Sequence, residues 1–565
     1  MDAADEQKAV ADQKIVDCFR QILFWPLQLM QIRPSPLSPE RWTLLENARP
    51  PCPWQPEPEA FTPNPEQFRE RHYIEFITFL PYVQRLLYGE GGGPQAALHG
   101  RSPIRVFRRR DVTHAQLVFP GDDAVLCLEV ARCELLFFYD LDIVILVVEI
   151  RGDGLGLQRA QEVMFRFGRA YPHFWHADGR PSNCMKRVAW LAADGSELAA
   201  SDYERRERYL RFVSSHRAPC IASHWEFLLD PLVPHYSDKQ GPLRVRQLEY
   251  HRMPLMAYLA VDDMQQLTRA DFIRLGLVTH PGDSTALPFA SGYLDDFERR
   301  FCYDRFHDSR ATRLASDTRL MCCGHAFVMV GNSGYPFFGD TETGLAAQFD
   351  HPYFVLGLVA HMHKAALLML RDRLNGAVNQ LDLGSVNSIK AFKRSIRNTM
   401  EVFLRFTHRY WFREISIQVQ AHDLFHLWRN HLSTEELYTE VRQEVHDMST
   451  YLDSDGLRRQ ADTVLRLTVV TVFGLIGTFA SGILGMNIFD ETGHPPLVKL
   501  LIFLVVAVPA TLLILYTVTK SKPLSDFLDA LSDERIGLPA KFAALADVWR
   551  RRVRASPGAP DRDGA

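Results

Sequence analysis

Two uncharged stretches near the C-terminus constrain this chain more than any other feature. Leu467 to Phe489 runs 23 residues without a charge, and Leu500 to Thr519 runs a further 20. At ~1.5 Å per helical residue these cover roughly 34 Å and 30 Å, each enough for a bilayer core. Pro509 lies inside the second, which membrane helices tolerate. The connection, Asp490 to Lys499, has Lys499 as its one Lys or Arg. Arg458, Arg459 and Arg466 precede the pair, and Lys520 and Lys522 follow it. By the positive-inside rule both termini are cytoplasmic and the short loop faces out, so the expectation is a multi-pass protein of the cell (inner) membrane.

The rest of the 565 residues then forms a cytosolic domain. The net charge is −4, with 64 basic against 68 acidic residues, which argues against a nucleic-acid partner. Nine cysteines are scattered without a C-x-x-C, from Cys18 to the adjacent Cys322 and Cys323. That odd count in a large chain fits a reducing compartment. The charged N-terminus MDAADEQKAVADQK has no apolar core, so no cleaved secretory signal is expected.

Residues 1–432 read as an α/β domain. The first 110 residues, rich in Pro, read as short helices joined by loops, and GEGGGP at 89–94 as a loop. Residues 124–151 carry apolar runs typical of strands, with a turn at Asp140-Leu141-Asp142. Gly152, Gly154 and Gly156 follow as G-x-G-x-G, not the dinucleotide spacing, and read as a tight strand-to-helix connection. The apolar run from Tyr353 holds His361, His363 and Lys364 at its centre. Charge there is costly in lipid, so the run reads as a buried helix. His422 and His426 share a helix face but lack a clear third ligand. Cys322, Cys323 and His325 read as core, and PGDST at 281–285 finds no partner His or Asp. No catalytic constellation assembles, so no enzyme and no cofactor is expected.

From Ser433, with Glu436 three residues on as a capping box, apolar residues recur at helical spacing into the first span. Residues 434–484 make a helix of roughly 76 Å at ~1.5 Å each. Within it Thr468, Thr471, Gly474 or Leu475, Thr478 and Gly482 share one face. Small residues serve helix packing, and hydroxyls around an axis suit the waters of a hydrated cation.

Gly485-Met486-Asn487 closes this first span, ahead of a short loop and a second span ending in Lys520-Ser521-Lys522. In that setting the chain resembles the CorA family of magnesium and divalent-cation transporters, over roughly residues 434–522. The resemblance implies a homopentamer in the lipid bilayer whose first helices surround the axis. It implies Gly485, Met486 and Asn487 as the selectivity filter, with Asn487 meeting the metal through its hydration shell. It puts Thr471, Leu475, Thr478 and Gly482 toward the pore, and Val464 and Leu467 at an inner constriction. The outer loop departs from the family, and Asp490 and Glu491 stand where they would concentrate cations at the outer mouth. Mg²⁺ is the first expectation as transported ion and regulator, with Co²⁺, Ni²⁺ and Zn²⁺ open. The expected division is 1–432 cytosolic, 433–466 stalk, 467–489 pore helix, 490–499 outer loop, 500–519 second span and 520–565 basic cytosolic tail. The other reading is a membrane-anchored cytosolic enzyme or sensor that uses the hairpin as a tether.

Overall fold

The computed structural model describes residues 14–30, 42–46, 52–57, 70–89, 102–122, 124–239, 241, 243–249, 251–282, 287–307, 317–382 and 385–485, and scattered positions between 495 and 516. The chain is mixed α/β, with two compact units, residues 1–445 and 446–565.

The first unit is built on one mixed sheet. Its strands are β1 (Ile15–Met30), β2 (Trp54–Pro56), β3 (Ile104–Arg109), β4 (His114–Val118), β5 (Val125–Phe138), β6 (Ile143–Gly156), β7 (Arg187–Leu191), β8 (Glu197–Ala200), β9 (Leu232–Pro234), β10 (Leu243–Gln247), β11 (Leu255–Val261), β12 (Cys302–Phe306), β13 (Thr318–Cys323) and β14 (Ala326–Asn332). The main path runs β12-β13-β14-β11-β1-β6-β5-β4-β7-β8. Pairing is antiparallel except β11 with β14 and β9 with β10.

The three apolar runs of residues 124–151 fold as two antiparallel strands, β5 and β6, with Asp140 at the expected turn in a left-handed conformation (φ 62°). Ile143 to Val148 are all buried, so this strand lacks polar alternation because both of its faces are covered. β6 continues to Gly156, and helix α1 (Leu157–Arg166) begins at the next residue. The glycines therefore end a strand with no intervening loop.

The N-terminal region corrects the sequence reading. Ile15–Met30 is not a set of short helices but a strand of 16 residues near the middle of the sheet. It pairs with β6 from Ile15↔Gly156 to Gln28↔Ile143. Its other edge pairs with β11 up to Leu23 and with β10 from Leu27. Pro26 falls between those two partners. Successive N–H groups alternate sides, and the Phe24 N–H donates to Pro254 O beside β11. The missing N–H of Pro26 thus faces the gap, where no ladder bond is lost.

Helix α2 (Phe354–Asn379) covers this strand. Leu345–Asn379 is, among the described residues, the segment long and apolar enough to cross a membrane. Yet 89% of its apolar window is buried within the domain, as its central histidines led us to expect. A wide helical turn, Phe349–Tyr353, leads into it, and Arg20 of β1 donates to Asp350 there at 2.6 Å. His361 stacks on Phe24 at 5.4 Å, and the His363 Nε2–H donates to the Tyr410 carbonyl at 2.6 Å. The two imidazoles face different neighbours, and burial pushes both down to about 3, which keeps them neutral. Helices α3 (Val386–Arg409) and α4 (Val419–His431) pack on α2.

Candidate pore helix

Helix α5 runs unbroken from Thr434 to Gly485, within a residue of the expected bounds. Its start differs from the expectation. Ser433 has φ 51°, the left-handed conformation of a residue that ends a helix, not the extended conformation of an N-cap. It turns the chain directly out of α4. Glu435 and Glu436 lie in the first turn, where acids complement the helix dipole. Arg413 donates to Glu435 at 2.9 Å, and Arg371 to Glu440 at 2.8 Å. Tyr438 stacks on Trp411 at 4.4 Å with ring planes 7° apart, and Val441 and Val445 are buried. These contacts hold the first three turns of α5 against the domain.

Farther along, α5 is exposed on most of its sides. At ~100° per residue, Val464, Leu467, Thr471, Leu475, Thr478 and Gly482 fall within an arc of roughly 80°. All six are exposed, from 56% at Val464 to 68% at Leu475 among the large apolar ones. Val469, on the opposite side of the helix, is fully buried. The positions singled out from spacing are thus exposed in a single chain, as are Asp462, Arg466 and Val472 on other sides of the helix. A methyl group at Gly474, Gly477, Gly482 or Gly485 would meet no atom within 4 Å.

The hydroxyls on this face have a defined orientation. Thr468 donates to Val464 O at 2.9 Å, Thr471 to Leu467 O at 2.8 Å, and Thr478 to Gly474 O at 2.9 Å. Each proton is committed to the helix itself, which leaves the oxygen lone pairs as acceptors. The waters around a cation present hydrogens outward, so such oxygens match a hydrated ion better than a bare one.

Of the three residues expected as the filter, Gly485 is described. Met486, Asn487, Asp490 and Glu491 lie outside the described residues, as does the tail beyond Tyr516. Where the second uncharged stretch is described it is helical, with Leu500, Leu501, Leu504, Val505, Val508 and Leu512 exposed.

The other sequence candidates sort as packing. Cys322 and Cys323 are buried in β13, and burial raises both thiols. The His325 Nε2–H donates to the Leu277 carbonyl at 3.1 Å. The His422 and His426 rings lie 4.4 Å apart on α4, and Asp423 between them accepts from the Tyr303 hydroxyl at 3.2 Å. Among the described residues no group of three or more His, Cys, Asp or Glu side chains is placed to hold a metal. Compared with protein-family models, curated proteins and solved structures, the chain matches none.

Proposed function

We propose that this chain is one subunit of an oligomeric divalent-cation channel of the CorA type, with Mg²⁺ as its first substrate. The observation that carries the reading is one arc of α5 on which Val464, Leu467, Thr471, Leu475, Thr478 and Gly482 are all exposed, with the threonine hydroxyls donating back to the helix. Exposed leucines and valines alternating with acceptor oxygens suit neither water nor lipid alone. They suit an axis shared by several copies, where apolar rings exclude water and hydroxyl rings receive it.

In this reading the two uncharged stretches are the membrane hairpin, and five copies surround the pore. Asn487 supplies a ring of amide oxygens at the outer mouth. Mg²⁺ sheds water reluctantly, so neutral oxygens spaced for the hydrated ion are chemically apt there. Val464 and Leu467 form the inner constriction, and the domain acts on it through α5. The full-length protein in liposomes, loaded with a Mg²⁺-sensitive dye, tests the proposal. Mg²⁺ entry that is saturable and abolished by Asn487→Leu is the expected result. Entry no faster than in protein-free liposomes, for Mg²⁺, Co²⁺, Ni²⁺ and Zn²⁺ alike, would overturn it.

A further inference from the structure

Away from α5, two arginines share a site without a counter-charge. Arg169 follows α1, and Arg252 leads into β11; their backbones meet in an isolated antiparallel bridge. Arg169 is 4% exposed. Its Nε and Nη2 donate to the Phe165 carbonyl at 3.0 and 2.9 Å, and its Nη1 donates to His251 Nε2 at 3.0 Å. Arg252 donates through Nη2 to the Val278 carbonyl at 2.5 Å, while its Nε–H is buried with no acceptor. Among the described residues the groups acting electrostatically are Cys184, Tyr203 and Arg166 on Arg169, and Arg169 and Cys323 on Arg252, with no carboxylate.

The surroundings add donors and rings. His251 stacks on His173 at 5.3 Å and lies 5.8 Å from Tyr171. Phe174 and His176, ring centres 5.0 Å apart, stand exposed beside them. Arg166 meets His280 at 2.9 Å, although its own Nε pairs with Glu162. Burial pushes Arg169 down to about 10. Burial and then the Arg169 charge push Arg252 down to about 9, and His251 is held near 4 by burial and the same guanidiniums.

Two like charges on paired residues, Arg169 buried and Arg252 half-buried, repel, and the orphan N–H of Arg252 adds a desolvation cost. A bound oxyanion removes both penalties. We propose that Arg252 and Arg169, with His251 and His173 next to them, bind a phosphate group. A phosphate carries about −1.5 to −2 near pH 7, enough to compensate both arginines where one carboxylate compensates a single charge. The bearer is either a free phosphate compound or a phospholipid headgroup. The site stands independently of the channel reading.

The test is isothermal titration of the full-length detergent-solubilised protein with inorganic phosphate, with AMP and with dihexanoyl phosphatidylglycerol, against chloride at equal ionic strength. Saturable binding of at least one phosphate probe is expected, with a raised thermal midpoint. Phosphate or AMP binding identifies a free compound, and binding of the lipid analogue alone identifies a headgroup. Arg252→Leu should weaken binding at least tenfold and Arg252→Lys by less, with circular dichroism confirming that both are folded. Failure of all three probes to exceed chloride in the wild-type protein would overturn the site, as would undiminished binding by folded Arg252→Leu.

Discussion

Val469 and Leu475 sit six positions apart on one helix, at 0% and 68% exposure. That contrast turns a spacing pattern into residue-level predictions. Leu467 is 66% exposed in a single chain, so Leu467→Gly removes little packing there. We expect higher resting Mg²⁺ flux per assembled channel and an unchanged preference among cations; unchanged flux with and without internal Mg²⁺ would remove Leu467 from the gate. Asn487→Leu should reduce flux to background while the native mass of the assembly is retained, and normal conduction would show that the amide is not the filter. His361 gives a different kind of prediction. Its folded value is about 3 against an ordinary 6.5, as is that of His363 and of fully buried His224. The unfolded chain takes up these protons first as pH falls. The stability is therefore whole above pH 6.5 and is lost between 6.5 and about 3, at roughly 1.4 kcal/mol per pH unit for each histidine. His361→Phe keeps a ring against Phe24 and should flatten the acid slope of the thermal midpoint by about a fifth, because His251 and His325, held near 4, share most of that range. A slope identical to wild type would show that the imidazole takes no part in acid unfolding. The Arg169–Arg252 pair was invisible in the sequence, because partners so far apart in the chain leave no short-range pattern.

Among the elements, those with one dominant local signal were legible. The β5–β6 turn and the buried helix α2 follow from apolar runs, a turn and central histidines. The extent of α5 follows from apolar periodicity, whereas its first residue does not. Ser433 has the composition of an N-cap, but α4 ends only two residues earlier and imposes a left-handed turn. β1 was missed because both its faces are buried, which erases the period-2 pattern, and because Pro26 reads as a break unless its neighbours are known. At the candidate site, helical spacing picked out positions that are exposed in α5, while the anchoring of the helix could not be foreseen. Tyr438, 8% exposed between Trp411 and Phe403, fixes the stalk through ring stacking. Tyr438→Ala should lower stability by roughly 3 kcal/mol, in the range for losing a buried aromatic, and Tyr438→Phe by less than 1. Chemical denaturation of the two variants checks this; equal losses would place the effect in the hydroxyl and not in the stack.

For the whole molecule, the proposal demands a homo-oligomer, and native mass spectrometry in detergent should find a species near five times 64.7 kDa. A monomer or dimer as the largest stable species would leave the exposed arc of α5 to lipid. The position of β1 also has a consequence for biosynthesis. Val16 pairs with Val261, and Ile15 with Gly156, so the first strand to leave the ribosome has no complete partner until nearly half the chain has been made. Such distant pairing is slow, since loop closure precedes any reward from the contacts. During that interval Ile22 to Trp25 form an apolar strand with two open edges, the kind of segment that aggregates or recruits a chaperone. By the time the uncharged stretches emerge, every strand of the sheet has already been synthesised. The order of the chain therefore lets the sheet close around its N-terminal strand before Leu467 emerges, and a nascent chain stalled before Val261 should be the most protease-sensitive of any length.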